Sequence, residues 1–114
     1  MEKSGETSDY HALVQAAGAL YYRCGIQAVG MDAVRAASGV PLKRLYRAFR
    51  SKDDLVEATL RERDAALRAS VGDYVAAHSS GDAESAVLAL FDWMADWFAE
   101  DTFRGCAFIN AFGE

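Results

Sequence analysis

Residues 31–49 read MDAVRAASGVPLKRLYRAF, and this stretch decides how the rest of the chain is organised. Two short segments with the apolar spacing of helices meet at Gly39, where a glycine allows the chain to turn sharply. The second segment carries basic and aromatic side chains, namely Lys43, Arg44, Tyr46 and Arg47. Two short helices joined by a glycine turn, the second one basic, form the arrangement with which a helix-turn-helix enters a DNA groove. We therefore expect a DNA-binding head over residues 1–50.

The apolar pattern before this stretch predicts a first helix over residues 8–24, which would support the motif from behind. Its apolar residues fall on one helical face: Leu13, Ala16, Ala17, Leu20 and Cys24. Gly25 stands where a left-handed cap would end the helix. Suitable N-cap residues are Thr7, Ser8 and Asp9. The polar residues 1–6 are expected to be frayed.

Within the motif, Gly30 can cap a second helix, although it is a weaker cap than Ser or Thr. The third helix is expected over residues 42–49, directly after Pro41, which a helix start tolerates. Its buried residues should be Leu45, Ala48 and Phe49, and Val40 can fill the corner of the turn. The basic side chains Lys43, Arg44 and Arg47 then face outward.

Two further long helices and part of another are expected after the motif. Residues 51–54, Ser-Lys-Asp-Asp, form a capping-box pattern, with Asp in place of the usual Glu, at the start of a helix over residues 52–77. Asp82 can cap a fifth helix over residues 83–100, whose apolar residues cover more than one face. Residues 106–114, CAFINAFGE, predict the start of a sixth helix.

The charge distribution favours a nucleic-acid partner although the 114-residue chain carries a formal net charge of −5. Between residues 30 and 52, six basic residues accompany a single acid, Asp32. From residue 64 to the end, nine acidic residues accompany two basic ones. Such asymmetry predicts a basic working face on an acidic body, because the local potential matters more than the total charge.

The sequence gives no sign of a metal site, a disulfide framework or a membrane segment. Cys24 and Cys106 are the only cysteines, and no Cys/His spacing resembles a zinc site. Each cysteine is expected to be a small buried apolar residue in a reducing compartment. Because the first residues lack the apolar core of a signal peptide and no apolar run spans a bilayer, we expect a cytoplasmic protein.

Four segments together resemble the tetracycline-repressor (TetR) family of bacterial transcription regulators. They are the Gly25 turn, MDAVRAASGV at 31–40, LYRAF at 45–49 and SKDDLVEATL at 51–60. The resemblance implies an all-α fold, in which a three-helix helix-turn-helix head over residues 1–50 is followed by the first helices of an effector-binding and dimerisation domain over residues 51–114. Members normally continue further, so the resemblance also implies that this chain is a fragment.

The resemblance implies a double-stranded DNA operator as the partner, bound by a homodimer on a palindromic site. Tyr46 resembles the family's phosphate-contacting tyrosine, and Lys52 at a helix N-terminus is suited to a phosphate. Arg and Lys on the third helix can bind guanine edges or phosphates, and the sequence does not decide which. The expected DNA-contacting residues are Gly30, Leu42, Lys43, Arg44, Tyr46, Arg47 and Lys52.

A small-molecule effector is the second partner that the resemblance implies. An apolar or aromatic effector could contact Trp93, Trp97, Phe98, Phe103 and Phe108. Aromatic rings at helical spacing more often form an ordinary core. No cofactor is expected.

Two alternatives to a DNA-binding regulator stay open. Val29-Gly30 and Pro41 stand where the family usually has hydroxyl or small polar residues, and Arg35 where it has a small one. The chain could therefore be a helical ligand-binding or interaction module that has lost DNA binding. An enzyme is not expected, because Asp92 and Asp96 lie four residues apart without a third ligand or a base, as on a solvated acidic face.

Overall fold

A computed structural model describes residues 2–114, with side chains from residue 5 onward, and this part of the chain contains helices and no strand. The helices are α1 (Glu2–Cys24), α2 (Met31–Ser38), α3 (Leu42–Ala48), α4 (Lys52–His78), α5 (Ala83–Phe98) and α6 (Ala107–Phe112). The all-α prediction is confirmed.

The beginning of α1 is where the sequence prediction was wrong. The helix begins at Glu2 instead of Ser8, so residues 2–6 are helical rather than frayed, and Asp9 lies inside the helix. Met1 lies outside the described residues. Because Glu and Lys are good helix formers, the helix continues past the candidate cap residues Thr7, Ser8 and Asp9. The other bounds agree to within two residues, α5 ending at Phe98 rather than residue 100.

Turn and cap residues take the conformations that their types predict. Gly25 and Gly39 have positive φ values of 89° and 74°, and the Gly39 N–H donates to the Arg35 carbonyl at 3.0 Å. The Ser51 hydroxyl accepts the Asp54 N–H at 3.2 Å, which is one half of the capping box. Gly30 occupies the N-cap of α2 without any side-chain hydrogen bond.

The chain divides into two compact units, and the division falls within α4. The first unit comprises Met1–Glu62 and Cys106–Glu114, and the second comprises Arg63–Gly105. The head predicted over residues 1–50 lies in the first unit, but its boundary is a statement about function and stays a prediction.

The core of the first unit joins α1, α2, α3 and the beginning of α4. Its buried members are Leu13, Val14, Ala17, Tyr21, Val29, Val34, Val40, Leu45, Phe49, Leu55 and Ala58. Leu13, Val34, Leu45 and Leu55 have no exposed surface. The α1 and α4 backbones approach closely at Gly18, where an added Cβ would lie 3.8 Å from the Thr59 Cβ. This core fixes the orientation of α3 relative to α1.

Tyr21 brings a polar atom into this core. The side chain is 7% exposed, and its hydroxyl has no hydrogen-bond partner within the described part of the chain. Burial raises the pKa of Tyr21 to about 12, because the phenolate would lose its hydration.

The turn between α1 and α2 is held by polar groups from two other segments of the first unit. Lys52 Nζ donates to the Ile26 carbonyl at 2.6 Å. The Glu114 carboxylate accepts the N–H groups of Ile26 at 2.8 Å and of Gln27 at 2.9 Å. These bonds from Gln27 and Ile26 lower the pKa of Glu114, with a smaller contribution from the charge of Lys52. The segment after Gly105 is thereby attached to the head.

The second unit buries much less of its apolar surface. Within α5, Ala89 is the buried residue, whereas Val87, Leu88, Phe91 and Phe98 are at least half exposed. The Asp82 carboxylate caps α5 by accepting the Ser85 N–H at 2.7 Å, as predicted.

The cysteines are free thiols, and the expected burial is wrong for Cys24. Cys24 lies on the predicted apolar face but at the last residue of α1, where the chain turns away and leaves it exposed. Cys106 is partly buried. Over residues 2–114, no helix is both long enough and apolar enough to cross a membrane.

Candidate nucleic-acid interface

The helix α3 presents a basic surface because its apolar residues hold it in the core. Leu45 is fully buried and Phe49, its C-cap, is 5% exposed. Successive residues of a helix are rotated by about 100°, so Lys43 and Arg47 lie on the side opposite Leu45. Both side chains are exposed, as predicted. Neither forms an ion pair with a residue in the described part of the chain.

Arg44 and Tyr46 lie on the two flanks of this surface. Tyr46 is 46% exposed and can reach a partner through its hydroxyl. Arg44 is turned toward α1, where its Nε donates to Asp9 Oδ2 at 2.9 Å and its Nη2 donates to Asp9 Oδ1 at 3.2 Å. The sequence indicates Asp9 only as a candidate cap, because no local pattern signals a partner 35 positions away.

The remaining residues predicted to contact DNA differ in their solvent exposure and in the hydrogen bonds that they already form. Gly30 is exposed at the start of α2, and Leu42 is 42% exposed at the start of α3. Lys52 is only partly exposed, and its bond to the Ile26 carbonyl uses one of the three ammonium donors. Two donors remain for a phosphate, so a contact from Lys52 stays a prediction.

Arg35 does not prevent α2 from packing in the head. Its Nε donates to Asp32 Oδ1 at 2.8 Å, so the side chain lies along the exposed surface of its own helix. This bond lowers the pKa of Asp32 and raises that of Arg35. The size of Arg35, one of the departures from the family pattern, is thus accommodated at the surface.

Four of the five aromatic residues expected to contact an effector form one cluster in the second unit. The Trp97 ring lies 5.5 Å from Trp93, 5.6 Å from Phe98 and 5.1 Å from Phe103, the last contact being edge-to-face. Trp93 Nε1 donates to the Ser70 hydroxyl at 3.0 Å. The fifth residue, Phe108, belongs to the first unit.

The acidic residues considered for catalysis are exposed on α5. Asp92 and Asp96 contribute, after desolvation, to the raised pKa of Tyr74. Among the side chains that the structure describes, from residue 5 onward, no group of three or more His, Cys, Asp or Glu is placed to hold a metal ion.

Comparisons with known proteins agree with this geometry. Residues 13–59 match the model of bacterial regulatory proteins of the tetR family. The structure is similar to the crystal structure of a TetR-family transcriptional regulator from Streptomyces coelicolor, with 36% sequence identity and a TM-score of 0.86. That match covers 94% of this chain and 56% of the other, so the chain spans little more than half the length of the similar protein. No curated protein matches the chain significantly.

Proposed function

The chain carries the N-terminal region of the TetR family of bacterial regulatory proteins, and from this premise we propose that it is the DNA-binding part of a transcription regulator. Helix α3 enters the major groove, one copy from each subunit of a homodimer, and the operator is palindromic. The regulator acts as a repressor in the cytoplasm and is released from the operator by a small-molecule effector.

The observation that carries this proposal is the exposed basic surface of α3. Because Leu45 is buried in the core, the helix places Lys43 and Arg47 on its exposed side. Tyr46 beside them supplies a hydroxyl for a phosphate. Between residues 30 and 52 the excess of basic over acidic residues attracts a polyanion, while the acidic remainder of the chain discourages binding elsewhere.

Selection of bound sequences from a random duplex pool tests DNA binding directly. The proposal expects one enriched motif, and a palindromic motif would support the dimer. Against the selected site, Arg44→Ala and Tyr46→Ala should each weaken binding by about tenfold in gel-shift titrations, within the range for single contacts. Circular dichroism should show unchanged helix content. Unchanged affinity in both variants would refute the assignment of these contacts.

Salt dependence separates DNA binding from the alternative of an interaction module. Each neutralised phosphate releases counterions, so the affinity should fall steeply as salt rises, by about 0.9 logarithmic units per tenfold salt for each contact. Lys43→Ala should reduce this slope by about the amount that one phosphate contact contributes. A chain that binds duplex DNA weakly and without salt dependence would instead favour the interaction module.

The effector part of the proposal rests on the aromatic cluster around Trp97. Both tryptophans of the chain, Trp93 and Trp97, lie in this cluster, so tryptophan emission, excited at a wavelength that tyrosine does not absorb, reports on it alone. Titration with a panel of planar aromatic compounds should find one that changes the emission and weakens operator binding at the same concentrations. Trp97→Phe should lower the affinity for that compound and leave operator binding unchanged. Fluorescence changes without an effect on operator binding would contradict the proposed control.

A further inference from the structure

The guanidinium of Arg44 is held by Asp9 through two nearly parallel hydrogen bonds. Nε and Nη2 donate to the two carboxylate oxygens at 2.9 Å and 3.2 Å, and the bonds join α3 to α1. The Asp9 side chain is 18% exposed and that of Arg44 is 51% exposed. The carboxylate is thus largely covered by protein, while half of the arginine side chain remains open to solvent.

The geometry leaves one edge of the guanidinium available. Of the five N–H groups of an arginine, Asp9 accepts two, both on the side edge formed by Nε and Nη2. Within the described residues, the N–H groups of Arg44 that have no acceptor are one on Nη2 and both on Nη1. One from each nitrogen forms a second fork at the end of the side chain, which matches the N7 and O6 acceptors of guanine in the major groove.

We propose that Asp9 is a positioning residue that makes Arg44 the base-reading residue of α3. This inference rests on the proposed DNA binding and deepens it, because it assigns the base contact to one of three cations. Arg44 has lost much of its rotamer freedom before DNA arrives, so its free fork points in a fixed direction. Lys43 and Arg47 have no such support within the described residues and can follow whichever phosphate is nearby.

The charge of Asp9 gives the proposal a distinctive signature. A carboxylate beside the DNA surface repels phosphates and offsets the charge of Arg44, so the pair adds little to sequence-independent attraction. Asp9→Asn should therefore loosen Arg44, reduce discrimination between sites, and at the same time strengthen binding to random duplex. A purely structural role of Asp9 would weaken binding to both kinds of DNA together.

The experiment compares affinities for three duplexes at one salt concentration: the selected site, the same site with one guanine replaced, and random sequence. The unmodified protein should lose about 5- to 150-fold on replacing the guanine that Arg44 contacts, the range for one two-pronged contact. In Asp9→Asn this loss should shrink to about twofold or less. Arg44→Lys should lose the discrimination in the same way, since an ammonium cannot form the fork.

The control is Asp32→Asn, which removes the same charge and also breaks an ion pair to an arginine, the more exposed one to Arg35 on α2. It should leave guanine discrimination unchanged. In an Arg44→Ala background, Asp9→Asn should cause no further loss of discrimination, because the two residues act as one unit.

The outcomes separate this inference from the proposed function. Sequence-specific binding with full guanine discrimination retained in Asp9→Asn refutes the role of Asp9 and leaves DNA binding intact. Tighter binding of Asp9→Asn to the selected site and to random duplex, by the same factor, also refutes it, because Asp9 would then only compete with DNA for Arg44. If the unmodified protein binds no duplex at all, both proposals fail.

Discussion

The first unit completely encloses Leu13, Val34 and Leu45, whereas the second unit leaves Leu88 and Phe91 more than half exposed. The difference follows from the number of helices available. In the first unit, α1, α2, α3 and the beginning of α4 converge on one core. The second unit has only the remainder of α4 and α5, and two helices can cover only one face of each other.

This comparison shows what apolar periodicity can and cannot indicate. A helix with one apolar face, such as α1, finds its neighbours within the same unit and defines a core. A helix with apolar residues around more than one face, such as α5, keeps part of this surface exposed, because its unit supplies a single neighbouring helix. Mutations should therefore act differently in the two units.

Truncating an apolar side chain should produce the largest difference in stability between the two units. Leu45→Ala removes a side chain with no exposed surface and should reduce the free energy of unfolding by about 3 kcal/mol. Leu88→Ala, in a side chain that is 59% exposed, should change it by less than about 0.5 kcal/mol. Urea titrations followed by circular dichroism measure both. Equal effects in the two variants would contradict the contrast between the units.

Replacing a glycine by alanine should change the free energy of unfolding in opposite directions in the two units. Gly39→Ala, at a φ of 74°, should cost about 1 kcal/mol through backbone strain alone, because nothing lies within 4 Å of an added Cβ. Gly72→Ala, in the interior of α4 with equally open space, should stabilise the protein by about 0.5–1 kcal/mol. In thermal denaturation, the midpoint should fall in Gly39→Ala and rise in Gly72→Ala. A gain in Gly39→Ala would show that the turn does not need positive φ.

Tyr21→Phe tests the one polar atom that the core of the first unit leaves unsatisfied among the described residues. Removing the hydroxyl should leave stability unchanged or raise it by up to about 1 kcal/mol, since no hydrogen bond is lost. The pKa of about 12 means that the folded state holds the phenolic proton more tightly than the unfolded chain, whose value is near 10. The resulting stability is present below pH 10 and is lost as the pH rises toward 12.

Unfolding measured between pH 9 and 12 should therefore show less alkaline destabilisation in Tyr21→Phe than in the unmodified protein. Identical pH profiles would mean that Tyr21 does not govern this loss.

The smallest effect should come from Gly30, the N-cap of α2. Gly30 forms no side-chain cap and has open space around it. Gly30→Ser adds a hydroxyl there and should raise the free energy of unfolding by roughly a few tenths of a kcal/mol. Gly30→Ala is the control, because it adds the Cβ without an acceptor and should not share the gain. Equal stability of the two variants would exclude a new cap.

The sequence predicted the local features of the fold well because they are encoded by neighbouring residues. Gly39 takes the left-handed conformation that its turn requires, and Asp82 and Ser51 cap the helices that follow them. The start of α1 was missed, since cap-forming residues also occur inside helices when their side chains have other partners. Asp9 is such a case, as its carboxylate binds Arg44.

The exposure of the basic side chains on α3 also follows from a short pattern, and Lys43 and Arg47 do face outward. Their contact with DNA stays a prediction. The partners of those side chains could not be predicted. The Asp9–Arg44 and Lys52–Ile26 contacts join residues 35 and 26 positions apart. Such pairs are created by the packing of helices, and the spacing along one helix contains no information about them.

The Glu114 carboxylate bound to the α1–α2 turn gives the molecule a built-in spectroscopic reporter. The amide protons of Ile26 and Gln27 are bonded to it, so their hydrogen exchange should be slow while the segment after Gly105 is attached to the head. Because these bonds lower the pKa of Glu114, the protection should persist at neutral pH and disappear as the pH falls through that lowered value. Two backbone resonances can thus report, without any label, whether a distant part of the chain is attached or free.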